Sequence, residues 1–207
     1  EARERALKVA QRLSRDGYKR GDRIGTLAWN TARHLEAWYG IMGMGGVYHT
    51  LNPRLFPDQI AWIMNHAEDR CLFVDLTFMP LVEKIAPSVP SLEKVIVLTD
   101  AAHMPQTALP NVVAYEEWLA EADGDFAWVE TDENEACGMC YTSGTTGNPK
   151  GAVLTNANLF SLRLPAEEAA QPWSSWDEDE AILICMPCAH IGGTGLGIMA
   201  IAAGIRA

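Results

Sequence analysis

Positive charge is scarce in this sequence. Sixteen Lys and Arg stand against 27 Asp and Glu, a formal charge of −11 over 207 residues, and no basic run or Arg-rich stripe interrupts the acidic balance. A duplex-nucleic-acid binder needs such a footprint, so no nucleic-acid partner is expected. An anion can still be held, but only locally, by backbone N–H groups and a placed Lys. No Asn-x-Ser/Thr acceptor site occurs, and neither an initiator Met nor a signal-peptide pattern opens the chain. Together with cysteines that read as reduced, this points to a cytoplasmic setting. No internal repeat is visible. Apolar residues make up 48% and charged residues 21%, which excludes a wholly disordered, collagen-like or coiled-coil chain. The chain stops at Ile205-Arg206-Ala207, just after a glycine that reads as a helix terminus. A strand should begin there, so the sequence reads as a piece of something longer.

Long apolar runs are also few. From Ala181 to Ile205 there is no formal charge, but Pro187, His190 and five glycines interrupt the run. It reads as a buried strand, a turn and a glycine-rich helix, with no transmembrane segment. Four of the five cysteines form two CxxC pairs, Cys137/Cys140 and Cys185/Cys188. Both pairs are expected on buried strands, where residues three apart point to opposite faces and cannot chelate together. They read as core cysteines, and no zinc is expected.

The rest alternates strands and helices. Ala6, Val9, Ala10 and Leu13 form one helical face that stops at Gly17; a strand follows over Ile24–Trp29, then a helix capped by Thr31 with Leu35, Trp38 and Met42 on its face. Val47–Leu51 predicts a strand, and a helix after Pro57-Asp58 buries Ile60, Ile63, Met64 and Ala67. Strand Cys71–Val74, a helix through Leu81, Val82 and Ile85, and strand Val95–Leu98 complete the series. This order predicts an α/β fold with a mainly parallel sheet and helices on both faces. From Asp100 to Glu135 the rhythm breaks, leaving one short helix at Tyr115–Ala122 in what otherwise reads as a connection. A first subdomain is therefore placed at 1–135 and the start of a second at 136–207. Pro172–Glu180 reads as a solvated loop.

The chemistry concentrates after the strand ending near Cys140. Thr142-Ser143-Gly144-Thr145-Thr146-Gly147 combines four hydroxyls with two glycines, and Asn148-Pro149-Lys150-Gly151 follows. The glycines permit positive φ, so successive N–H groups can converge on an anion, and Lys150 adds one positive charge. This is no Walker A loop: Lys150 follows a proline, and Gly151 stands where Ser or Thr is required. A flexible Gly/Ser/Thr surface loop is the plainer alternative. The expected setting between two buried strands, Cys137–Tyr141 and Ala152–Leu154, favours phosphate binding.

The run Tyr141-Thr-Ser-Gly-Thr-Thr-Gly-Asn-Pro-Lys-Gly151 resembles the signature loop of the acyl-adenylate-forming enzymes: acyl-CoA synthetases, luciferases and nonribosomal adenylation domains. Gly21-Asp-Arg-Ile24, Trp29-Asn30 and Gly46–Pro53 resemble the N-terminal half of that family. Asn52–Pro57 and Asn65–Arg70 are similar to its bacterial medium- and long-chain fatty acyl-CoA ligases, and Pro187-Cys-Ala-His190-Ile-Gly-Gly193 resembles its next core motif. The family's aromatic residue before that histidine is replaced by Ala189.

The resemblance implies that Thr142, Ser143, Gly144, Thr145, Thr146, Gly147 and Lys150 hold ATP phosphates. It implies that His190 stands near the reacting carboxylate and that Gly192 and Gly193 leave room for the acyl chain. A structural histidine at a strand end is the alternative for His190. The parent enzyme is expected to make an acyl-adenylate from a fatty acid and ATP with Mg²⁺, then to pass the acyl group to coenzyme A; a homo-oligomer is left open. The adenylation Lys and the Mg²⁺-binding Glu fall outside this chain, which is expected to be inactive alone. A phosphate-binding module without turnover, or another acid–thiol ligase or adenylation relative, remains the alternative.

Overall fold

The computed structural model describes residues 1–142, 148–160, 177 and 179–206. Among these residues seven strands form one sheet: β1 (Arg23–Leu27), β2 (Val47–Thr50), β3 (Cys71–Val74), β4 (Lys94–Val97), β5 (Val112–Ala114), β6 (Ala136–Thr142) and β7 (Lys150–Thr155). Their order is β5-β4-β3-β1-β2-β6-β7. Every neighbouring pair is parallel except β6 and β7, an antiparallel hairpin at the edge. The mainly parallel α/β sheet expected from the alternation is thus present.

The helices sort to two faces. β1 connects outward through α2 (Ala32–Gly43), whereas β2 and β3 connect in the opposite direction through α3 (Pro57–Ala67) and α4 (Met79–Ile85). Right-handed crossovers running in opposite directions place their helices on opposite faces. One core gathers α1 (Ala2–Arg15), α2 and α5 (Tyr115–Ala120) around Val9, Leu13, Trp38, Ile41 and Trp118; the other gathers α3 and α4 around Ile60, Ile63, Met64, Val82 and Ile85. Strand alternation feeds both cores, since Cys71 and Phe73 face the first and Leu72 and Val74 the second. A charged network ties the first layer. Arg5 binds Glu36 at 2.8 Å and Glu116 at 3.0 Å, Arg33 binds Glu116 at 2.7 Å, and the Tyr115 hydroxyl donates to Glu36 at 2.8 Å.

Three expectations are corrected. The stretch after Asp100 contains more than a short helix, because β5 pairs with β4 at the sheet edge. β7 is not buried: Lys150 to Val153 are exposed, with Val153 at 56%, because no strand covers its outer side among the described residues. The segment from Ile182 to Cys185 is no buried strand either. Its neighbourhood offers one isolated bridge, Ala181 to Arg206, the Cys185 N–H turns back to the Leu183 carbonyl at 3.1 Å, and Leu183 is 81% exposed. Without a ladder, alternation half-buries Ile182 and Ile184 and leaves Leu183 and Cys185 in solvent.

The cysteines accordingly have different settings. Cys137 and Cys140 lie on β6, whereas Cys185 is exposed in the 182–185 segment and Cys188 buried in the turn beyond it. Burial pushes the thiols of Cys137 and Cys188 up to about 11, which keeps them protonated at neutral pH. No group of three or more His, Cys, Asp or Glu that could hold a metal occurs among the described residues. No described helix is long and apolar enough to cross a membrane.

Candidate functional site

A cleft of about 260 Å³ opens at the carboxyl ends of β2 and β6, the end of a parallel sheet where ligands bind in α/β folds. It is lined by Asn52 and Leu55 after β2, Gln59 and Ile63 of α3, Cys140, Tyr141 and Thr142 of β6, Pro149, and Ala189, His190 and Ile191. The two motifs singled out in the sequence therefore meet at one place. Thr142 and Pro149 bring in the two ends of the hydroxyl-rich loop, and His190 brings in the second motif.

The β6–β7 hairpin sets the loop's position. Thr142 pairs with Lys150 in the antiparallel register, and the Thr142 hydroxyl donates to the Lys150 carbonyl at 3.4 Å. Both residues are exposed at the mouth of the loop. Ser143, Gly144, Thr145, Thr146 and Gly147 lie outside the described residues, as does most of the Pro172–Glu180 stretch.

Beyond the short α6 (Asn156–Phe160), His190 sits at the N-cap of α7 (Ile191–Ala203), where its side chain accepts from the Gly192 N–H at 3.2 Å through Nδ1. An accepting Nδ1 puts the neutral ring's proton on Nε2. This exposed residue therefore offers an N–H donor at the cleft wall. Gly192 and Gly193 do not line the cleft. A Cβ on Gly193 would meet the Pro187 carbonyl oxygen at 2.3 Å, and one on Gly192 the Met186 sulfur at 2.8 Å. In the structure these glycines let the 186–187 turn press on the first turn of α7.

Residues to which the motif reading gave no role hold this segment in place. Asn30, in the β1–α2 loop, donates through Nδ2 to the carbonyls of Ile184 (3.1 Å) and Met186 (2.8 Å) and accepts from the Cys188 N–H (2.7 Å). Thr50, at the end of β2, donates to the Ala189 carbonyl at 3.4 Å, and Thr194 to the Cys188 carbonyl at 3.0 Å. An exposed Asn in a loop has no local signal that would name such partners.

Comparison with known proteins agrees with this geometry. The family model for AMP-binding enzymes matches residues 1–207. A medium-chain-fatty-acid–CoA ligase from Ectopseudomonas oleovorans is 38% identical over 192 residues, covering 92% of this chain and 35% of that protein. A long-chain-fatty-acid–CoA ligase from Thermus thermophilus is 39% identical over 191 residues, 92% of this chain and 33% of that protein. A 3-methylmercaptopropionyl-CoA ligase from Ruegeria pomeroyi is 44% identical over 151 residues, 73% and 28% of the respective chains. Among solved structures, an anthranilate CoA ligase in complex with anthranoyl-AMP superposes on all of this chain and 38% of its own, with a TM-score of 0.84 at 24% identity. The chain spans about a third of the length of these relatives. With the sheet order, the cleft and a family match along its whole length in agreement, the chain belongs to the AMP-binding enzymes, as an N-terminal portion of their fold.

Proposed function

We propose that this chain is the N-terminal part of an AMP-forming acid–thiol ligase that activates a fatty acid with ATP and transfers it to coenzyme A. The observation that carries the reading is the cleft itself, which sets the ends of the phosphate-type loop opposite His190. In this reading the loop from Thr142 to Gly147 and Lys150 hold the ATP phosphates, and the Nε2–H of His190 orients the acid's carboxylate. One carboxylate oxygen attacks the α-phosphorus, the bond to pyrophosphate breaks, and acyl-AMP results. The coenzyme A thiol then attacks the acyl carbonyl and AMP leaves. The difficulty of the first step is bringing one anion to another. Hydroxyls, N–H groups and one Lys reduce that repulsion and stabilise the charge growing on pyrophosphate.

Mg²⁺ belongs to the proposal through the nucleotide and not through these residues. No carboxylate lines the cleft among the described residues, so they offer the cation no anionic ligand. Leu55, Ile63 and Ile191 supply apolar wall for an acyl chain. Gly192 and Gly193 serve that wall indirectly, by admitting the 186–187 turn. A division near residue 135 is part of the same reading, supported by the absence of helix or strand over 121–135. So are a cytoplasmic setting and the absence of zinc, the latter supported by the burial that keeps the Cys137 and Cys188 thiols protonated.

The test is acid-dependent ATP–pyrophosphate exchange by the full-length protein with short- to long-chain fatty acids, followed by thioester detection after adding coenzyme A. Exchange that requires the acid supports the ligase. Nucleotide binding without acid-dependent exchange refutes it in favour of a binding module.

A further inference from the structure

Beneath the cleft lies a buried histidine–aspartate pair that the chemistry above does not use. His49 on β2 and Asp69, in the turn after α3, are both at 0% exposure. His49 Nδ1–H donates to both Asp69 carboxylate oxygens, at 2.9 and 2.8 Å. The other ring nitrogen, Nε2, has no hydrogen-bond partner among the described residues. Burying a carboxylate and leaving a polar nitrogen unpaired both cost stability, and an apolar pair of similar shape would avoid both. Core packing alone therefore does not account for these two residues.

Their neighbour supplies a reason. The His49 ring lies against the Tyr141 ring, 5.3 Å between centroids. Tyr141 is held from its far end as well. Its hydroxyl shares a hydrogen bond with His66 Nδ1 at 2.6 Å, Trp62 meets its ring edge-on at 6.4 Å, and Trp62 stacks on His66 at 4.8 Å. Burial and then the Asp69 charge hold the Tyr141 phenol above its ordinary range, so it stays protonated. Tyr141 lines the cleft and immediately precedes Thr142, where the loop leaves β6.

We propose that His49 and Asp69 are positioning residues of this site: acting through Tyr141, they hold the end of β6 where the phosphate-binding loop departs. Asp69 fixes the tautomer and plane of the His49 ring, that ring sets one side of Tyr141, and His66 and Trp62 set the other. Neither His49 nor Asp69 touches the substrate. Their effect is on the placement of the nucleotide, to which rates are sensitive at the scale of an ångström.

The inference rests on the proposed ligase activity, and steady-state kinetics of the full-length enzyme separate the two. His49→Gln and Asp69→Asn are expected to raise KM for ATP about tenfold while KM for coenzyme A stays within about twofold. Adding His49→Gln to Tyr141→Ala is expected to change KM for ATP no further, since residues on one path are not additive. Unchanged KM for ATP with lowered thermal stability shows a purely structural pair and overturns the proposal, as do effects that simply add. Should the two buried variants fail to fold, Tyr141→Phe and His66→Gln read the far side of the clamp. A raised KM for ATP in both supports the proposal, and unchanged values overturn it. A wild-type enzyme without acid-dependent exchange overturns both readings, whereas an active wild type with unaffected variants overturns only this one.

Discussion

Acid should destabilise this fold through the buried imidazole of His34. His34 is 1% exposed on α2, one turn after Thr31, whose side chain caps the helix. Nδ1–H donates to the Trp29 carbonyl at 3.0 Å, Nε2 accepts from the Thr26 hydroxyl at 2.9 Å, and the ring lies 4.6 Å from that of Trp38. Burial pushes its pKa down to about 4, against a weaker upward pull from the Trp29 carbonyl. The unfolded chain takes up this proton near the ordinary imidazole value of 6.5, so between those two values it binds more protons than the folded one. Stability is therefore complete above pH 6.5, falls as the pH drops, and loses nothing further from this group below about 4. A gap of that size corresponds to roughly 3 kcal/mol in full, and to about 2 kcal/mol between pH 7 and pH 5. The assay is urea unfolding at both pH values, followed by tryptophan fluorescence, for wild type and His34→Gln. Gln keeps one donor and one acceptor but does not titrate. The wild type should lose about 2 kcal/mol more than the variant over this range. Equal losses would refute the claim that His34 is buried neutral and that burial dominates its ionisation.

Three further outcomes follow from the site. Asn30→Ala removes three hydrogen bonds to the 184–188 segment; at about 1 kcal/mol each and partly replaced by water, this should raise KM for the acid tenfold or more in the full-length enzyme, and an unchanged value would release Asn30 from that role. Lys150→Ala should lower kcat/KM for ATP by an amount on the order of 1–3 kcal/mol, again tenfold or more, with the fold intact by circular dichroism. Equal kcat/KM would make Lys150 a bystander. Elemental analysis of the purified protein should find no stoichiometric zinc, whereas one equivalent resistant to mild chelation would mean that the cysteines converge in a way their settings on β6 and in the 185–188 turn do not suggest.

Local pattern determined most of the architecture. The first four strands, their four helices and the α5 helix fall where alternation, Thr31, Gly17 and Pro57 put them, because each signal acts within one turn or a few residues of where it is read. The loop chemistry from Thr142 to Lys150 was legible for the same reason: hydroxyls, glycines and a Lys are local. Tertiary structure decided the remainder. β5 is three residues long after Pro110 and a positive-φ Asn111, and it is a strand only because β4 offers it an edge. Ile182–Cys185 has the composition of a buried strand but lacks a ladder to join, so burial, a property of neighbours, does not follow. His49 reads as one residue of a short strand and Asp69 as one charge in a turn. Only the parallel crossover through α3 brings the two within 2.8 Å. Asn30 reaches the 184–188 turn across more than half the chain, and Thr142 and His190 share a cleft because β6 lies beside β2. Contacts of that sequence separation depend on strand order and helix placement together, and a single stretch of sequence carries neither.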